Sequence, residues 1–135
     1  MNTAILCVDD DKQVLNSLRI QLSRHFSKKH HTEFAQDAFE AFEVIDDLTK
    51  IGVVTVLVIS DWIMPGMNGD EFLRKLSAKH PAIRTMMLTG QISGEEGERF
   101  LKSNGTSVIM DKPWTETELI TTVQKLLDEW KHNDM

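Results

Sequence analysis

Four apolar runs in this chain each lead into a residue suited to handling charge. "ILCV" runs into Asp9, Asp10 and Asp11, "VLVIS" into Asp61, "MML" into Thr89, and "SVIMD" into Lys112. Several carboxylates in one pocket repel and raise one another's pKa. A hard divalent cation relieves that repulsion, and Mg²⁺ takes oxygen ligands while keeping several waters. Asp9, Asp10 and Asp61 therefore suggest a site for Mg²⁺, or for Mn²⁺ in its place. Lys112 adds a mobile point charge of the kind that pairs with phosphate, and Thr89 adds a hydroxyl donor. A metal, a lysine, a hydroxyl and a carboxylate nucleophile are together what phosphoryl transfer to an aspartate requires. Taken singly, each residue has a plainer reading. A "DDD" run often starts a helix, and Asp11 fits that role. Asp61 alone is a turn residue, Thr89 a structural one, and Lys112 a solvated one.

The elements that carry these residues argue for the joint reading. Strands are expected over 3–8, 31–36, 53–60, 83–90 and 106–110. The run "VVTVLVIS" is nearly all apolar, as in a parallel strand covered on both faces. Helices are expected over 11–26, 37–48, 68–79 and 115–131, from apolar residues at helical spacing. In the second of these, Phe39, Phe42 and Ile45 read as the buried side. The last, with Leu119, Ile120, Val123, Leu126, Leu127 and Trp130, is the best formed. "SGEEGERFLKSNG" (93–105) contains Gly94 and Gly97 and reads as a poor helix. Five βα units imply a parallel sheet with right-handed crossovers. In such sheets the functional crevice lies beyond the carboxyl ends of the strands. Asp9, Asp61, Thr89 and Lys112 all fall there.

Composition narrows the functional classes. With 135 residues, 41% apolar and 27% charged, the chain suits one globular domain. A net charge of −6 disfavours nucleic acid as a partner. No apolar run reaches the length needed to span a bilayer, and the start lacks a secretory pattern. A lone cysteine, Cys7, excludes an internal disulfide and fits the cytoplasm.

"ILCVDDD", "LVISDWIMPGMNGDEFL", "MMLTG" and "MDKPW" together resemble the receiver domain of bacterial two-component response regulators. The resemblance covers roughly residues 3 to 131. It implies a (βα)5 flavodoxin-like α/β fold with strand order 2-1-3-4-5. It makes Asp61 the phosphoacceptor, and Asp9 and Asp10 the acidic pair for Mg²⁺, with the backbone carbonyl of Ile63 completing the protein ligands. It makes Thr89 the switch hydroxyl and Lys112 the phosphate-pairing lysine. It makes Pro113 a proline often preceded by a cis bond. The implied partners are a histidine kinase or histidine phosphotransfer protein, an output domain or effector, and a second copy in a phosphorylation-dependent homodimer. No output domain is visible, so the chain is expected to be a stand-alone receiver or a piece of a longer protein. Relatives commonly carry Tyr or Phe where this chain has Ile109, so the segment after Thr89 is expected to carry most of the switch. The expected output face comprises that segment, strand five and the last helix.

Two other functions compete. A Mg²⁺-dependent aspartyl-phosphate hydrolase of the haloacid dehalogenase type needs a second acid two residues after its nucleophile. Here that residue is Ile63, and Asp61 lies on the third strand rather than the first. A pseudo-receiver serving only for docking would not need the intact acid, threonine and lysine set. Among lesser features, "SRHFSKKHH" (23–31) reads as a surface extension and His30-His31 as a solvated loop. His25, His80 and His132 read as surface residues, Cys7 and Met86, Met87 and Met110 as core. Trp62 and Trp114 flank the proposed site in sequence.

Overall fold

The computed structural model describes residues 2–90 and 108–133, together with Glu95 and Arg99. In chain order the elements are β1 (Asn2–Val8), α1 (Lys12–Phe26), β2 (His31–Ala35), α2 (Ala38–Lys50), β3 (Val53–Asp61), α3 (Gly69–Lys79), β4 (Arg84–Thr89), β5 (Val108–Asp111) and α4 (Glu116–Asn133). The strands form one parallel sheet in the order β2-β1-β3-β4-β5. That is the flavodoxin-like architecture expected from the sequence. The expectation for residues 93–105 lies outside the described residues, apart from Glu95 and Arg99.

Apolar side chains fill both faces of the sheet. Leu15, Leu18 and Leu22 of α1 and Leu119, Val123 and Leu126 of α4 pack with Ile5, Leu57 and Met86 on one side. Ala38, Ala41 and Ile45 of α2 and Phe72, Leu73 and Leu76 of α3 pack with Leu6, Val58 and Met87 on the other. Cys7 is fully buried in the first of these layers, and burial pushes its thiol far above the ordinary value. No described helix is long and apolar enough to cross a membrane.

Local chemistry sets the helix starts. The Asp11 carboxylate accepts from the Gln13 N–H and caps α1; the Asp37 carboxylate accepts from the Glu40 N–H and caps α2. Strand pairing aligns Val8 with Ser60, Asp61 with Leu88, and Thr89 with Asp111. The residues following β1, ending β3 and β4, and following β5 therefore meet at one edge.

Four expectations need correction. Residues 23–31 are no surface extension: 23–26 close α1, Phe26 is buried in the core, and His31 begins β2. Phe39 is 57% exposed; Ala38, Ala41, Ile45 and Leu48 form the buried stripe of α2. His30 is half-buried rather than solvated, with its Nδ1 2.6 Å from the Thr3 hydroxyl. His80 is half-buried too, and its Nε2 is enclosed without a hydrogen-bond partner.

Candidate phosphoacceptor site

Asp9, the first residue after β1, is 2% exposed. Its Oδ1 accepts from the Asp11 N–H at 2.9 Å, and its Oδ2 accepts from Lys112 Nζ at 2.9 Å. Asp61 ends β3 and is half-buried. Its Oδ1 accepts from the Trp62 N–H at 2.9 Å and from Lys112 Nζ at 3.1 Å. Lys112 thus bridges one carboxylate just after β1 and another at the end of β3. A backbone bond from the Lys112 N–H to the Thr89 carbonyl, 3.0 Å, ties the base of that lysine to the end of β4. Thr89 itself is buried, and the Lys112–Pro113 bond is cis.

Charge and burial oppose each other here. Burial pushes the Asp61 carboxyl above the usual carboxylate range and the Asp9 charge pushes it further. Lys112 and the Trp62 N–H pull it back without cancelling the rise. Burial alone would lower Lys112. Hydrogen bonds and charge from Asp9 and Asp61 outweigh burial and hold the ammonium above its ordinary value.

The same carboxylates suit a hard cation. Asp9, Asp10 and Asp61 each offer an oxygen, and these oxygens lie within 4.8 Å of one another. Asp10 is exposed, so it faces the solvent from which an ion would arrive. Oxygen donors at that spread match an ion that keeps part of its water shell. Ile63 lies in the loop directly after Asp61 with its side chain 68% exposed.

Backbone placement beneath the carboxylates depends on Gly69. The first residue of α3, it donates its N–H to the Trp62 carbonyl at 2.6 Å. A Cβ there would collide with the backbone carbonyl of Asp61 and lie 3.0 Å from Met87 Sδ. The Asp61 carbonyl also accepts from the Ser60 hydroxyl at 2.9 Å. The close approach of Gly69 to Asp61 depends on a tertiary contact that spacing along the chain does not show. Asp11, a helix start in the sequence, also fixes Asp9 through its N–H. The signal was present, since an acid two residues before a backbone N–H favours that turn.

The two flanking tryptophans part company. The Trp62 backbone touches Asp61, and its ring packs on the α2–α3 side. Trp114 turns away toward α1, donating its indole N–H to Gln21 Oε1 at 2.8 Å.

Comparisons with known proteins agree with the fold. The family model for the response regulator receiver domain matches residues 5–124. Response regulator MprA of Mycobacterium sp. (strain KMS) is 32% identical over 127 residues, covering 94% of this chain and 51% of the relative. Sensor kinase CckA of Brucella abortus (strain 2308) is 28% identical over 127 residues, covering 94% of this chain but 13% of the relative. The chain thus spans about half of one of these curated relatives and about an eighth of the other. The crystal structure of a CheY-like response regulator receiver domain protein from Methanospirillum hungatei JF-1 superposes with a TM-score of 0.83 at 27% identity, covering 98% of this chain and 99% of that one. With the sheet order, the carboxylate edge and a family match over most of its length, the chain belongs to the response regulator receiver domain family.

Proposed function

We propose that this receiver is a phosphorylation-driven switch that accepts a phosphoryl group on Asp61 from a histidine kinase or histidine phosphotransfer protein. The observation that carries this reading is the Lys112 ammonium bonded to both Asp9 and Asp61 at the carboxylate cluster. Asp9, Asp10, Asp61 and the Ile63 backbone carbonyl would hold Mg²⁺ or Mn²⁺. The ion, when bound, supplies positive charge that offsets the crowded carboxylates and the phosphoryl oxygens.

Both Lys112 and the Trp62 N–H engage Oδ1 of Asp61, so we assign Oδ2 as the nucleophile. Oδ2 forms a bond to phosphorus as the P–N bond to the donor imidazole breaks. The P–N electron pair stays with the imidazole, already protonated at its other nitrogen, which leaves neutral. Lys112 then exchanges a carboxylate oxygen for a phosphoryl oxygen, and the Thr89 hydroxyl donates to another. Movement of Thr89 biases the segment that follows it, along with β5 and α4. Ile109, half-buried beside Met87 on the α2–α3 side, packs rather than swinging a ring. An output domain, an effector or a second copy of the chain would read that face. Ile63 stands where a dehalogenase-type hydrolase needs its second acid, which disfavours that alternative.

The test is a small phosphodonor such as phosphoramidate with Mg²⁺, read by intact mass. One acid-labile phosphoryl group is expected on the native chain and none on Asp61→Asn or with chelator present. Undiminished phosphorylation of the Asn variant would refute the assignment.

A further inference from the structure

Phosphotransfer at the carboxyl edge of the sheet makes no use of residues 23–31. Phe26, Lys29 and His30 of that stretch line a cavity at the opposite edge, where β1 begins and α4 ends. The cavity has a volume of about 460 Å³, within the usual range for small-molecule sites. Its apolar walls are Phe26, Leu127 and Trp130. Its charged groups are Lys29 and Lys131 against one acid, Asp128, whose carboxylate already accepts from Gln124 Nε2 at 3.0 Å. A cationic surplus in a chain of net charge −6 runs against the field of the whole molecule.

His30 is fixed between these groups. Its ring meets Phe26 edge-on, with centroids 6.3 Å apart, and Nδ1 lies 2.6 Å from Thr3 Oγ1. Burial, then the charges of Lys29 and Lys131, hold its pKa below the ordinary value. Lys29 and Lys131 both line the cavity with this ring, so an anionic group is drawn to their side of it. The Thr3 hydroxyl can serve His30 in either state. It donates to Nδ1 of the neutral ring, or accepts from the protonated ring while donating to the Lys29 carbonyl, 3.4 Å away.

We propose that this cavity is a binding site for a small aromatic carboxylate. The ring lies against Trp130 and Phe26, and the carboxylate sits between Lys29 and Lys131 beside His30. Neither the phosphoacceptor reading nor any residue of that site is needed for it. Apolar walls supply area, the two lysines supply charge selection, and the fixed histidine supplies a directed N–H.

The test titrates the whole chain with 2-naphthoate, and in parallel with the neutral isostere 2-naphthamide. Backbone NMR shifts at Lys29, His30 and Leu127, with the Trp130 indole signal, are the readout. Saturable shifts are expected with naphthoate, with affinity about tenfold weaker for the amide and for Lys29→Gln/Lys131→Gln. The His30 ring should titrate at higher pH with naphthoate bound. Asp61→Asn should bind naphthoate as the native chain does. Equal binding of acid and amide, indifference to the lysine substitutions, loss of binding in Asp61→Asn, or no saturable shift would each overturn the proposal.

Discussion

Asp61 holds a charge that its surroundings resist. Burial and the Asp9 charge raise its folded-state pKa, so the unfolded chain ionises first as pH rises. Its contribution to folding is neutral below the ordinary carboxylate pKa. It becomes unfavourable as pH climbs from that value through the raised one, and stays so above. With chelator present, Asp61→Asn should therefore raise Tm at pH 7 and leave the difference near zero at pH 3. Each ~1 kcal/mol corresponds to roughly 4 °C in a domain of this size. Differential scanning calorimetry of the pair at both pH values checks it; a lower Tm for Asn at pH 7 would contradict the charge balance described. The chemistry of this residue was legible because four strand ends each carried a reactive side chain. The lysine bridge was not, since a sequence does not reveal which carboxylate oxygens face one ammonium.

At the scale of elements, α2 shows how a helical pattern can be read on the wrong face. Phe39, Phe42 and Ile45 are spaced for one side, and large side chains draw the eye. The observed stripe instead uses Ala38 and Ala41, whose small side chains bring the helix close to the sheet. Phe42 stays at the margin, edge-on to Phe72 at 5.2 Å, and the Phe39 ring lies over Gly66. Gly66 has a φ of +82° in the turn after β3, a conformation that favours glycine. Phe39→Ala should cost under about 1 kcal/mol and Ile45→Ala roughly 2–4 kcal/mol in urea unfolding. Near-equal costs would restore the aromatic face to the core. β3 hid a second feature. Ala4 pairs with Thr55 but Ile5 with Leu57, so the chain gains a residue at Val56. An unbroken apolar run gives no sign of that register shift. Gly69→Ala should destabilise by roughly 1–3 kcal/mol, because a Cβ there requires α3 and the Asp61 backbone to separate. A Tm unchanged by that substitution would mean that the close approach relaxes freely.

For the whole molecule, a parallel α/β sheet followed from the alternation of apolar runs with amphipathic segments, while the strand order followed only from the resemblance to receiver domains. The cavity opposite the carboxylate edge did not, because it is assembled from β1, the turn after α1 and the end of α4. Binding of an ion to the native state links the carboxylate edge to global stability. Mg²⁺ at about ten times its dissociation constant should stabilise the fold by ~1.4 kcal/mol, and Asp10→Ala should remove most of that gain. Thermal melts across a Mg²⁺ series measure it, and a flat series at millimolar ion would rule out the cation site as drawn.

The central claim is that Asp61, rather than a neighbouring carboxylate, forms the acyl phosphate. Borohydride reduces an acyl phosphate to the alcohol, so a phosphorylated aspartate becomes homoserine. The chain is phosphorylated with phosphoramidate and Mg²⁺, reduced, digested and sequenced by tandem mass spectrometry. Homoserine is expected at position 61, with Asp9, Asp10 and Asp11 unchanged. Homoserine at 9, 10 or 11, with Asp61 intact, would contradict the account.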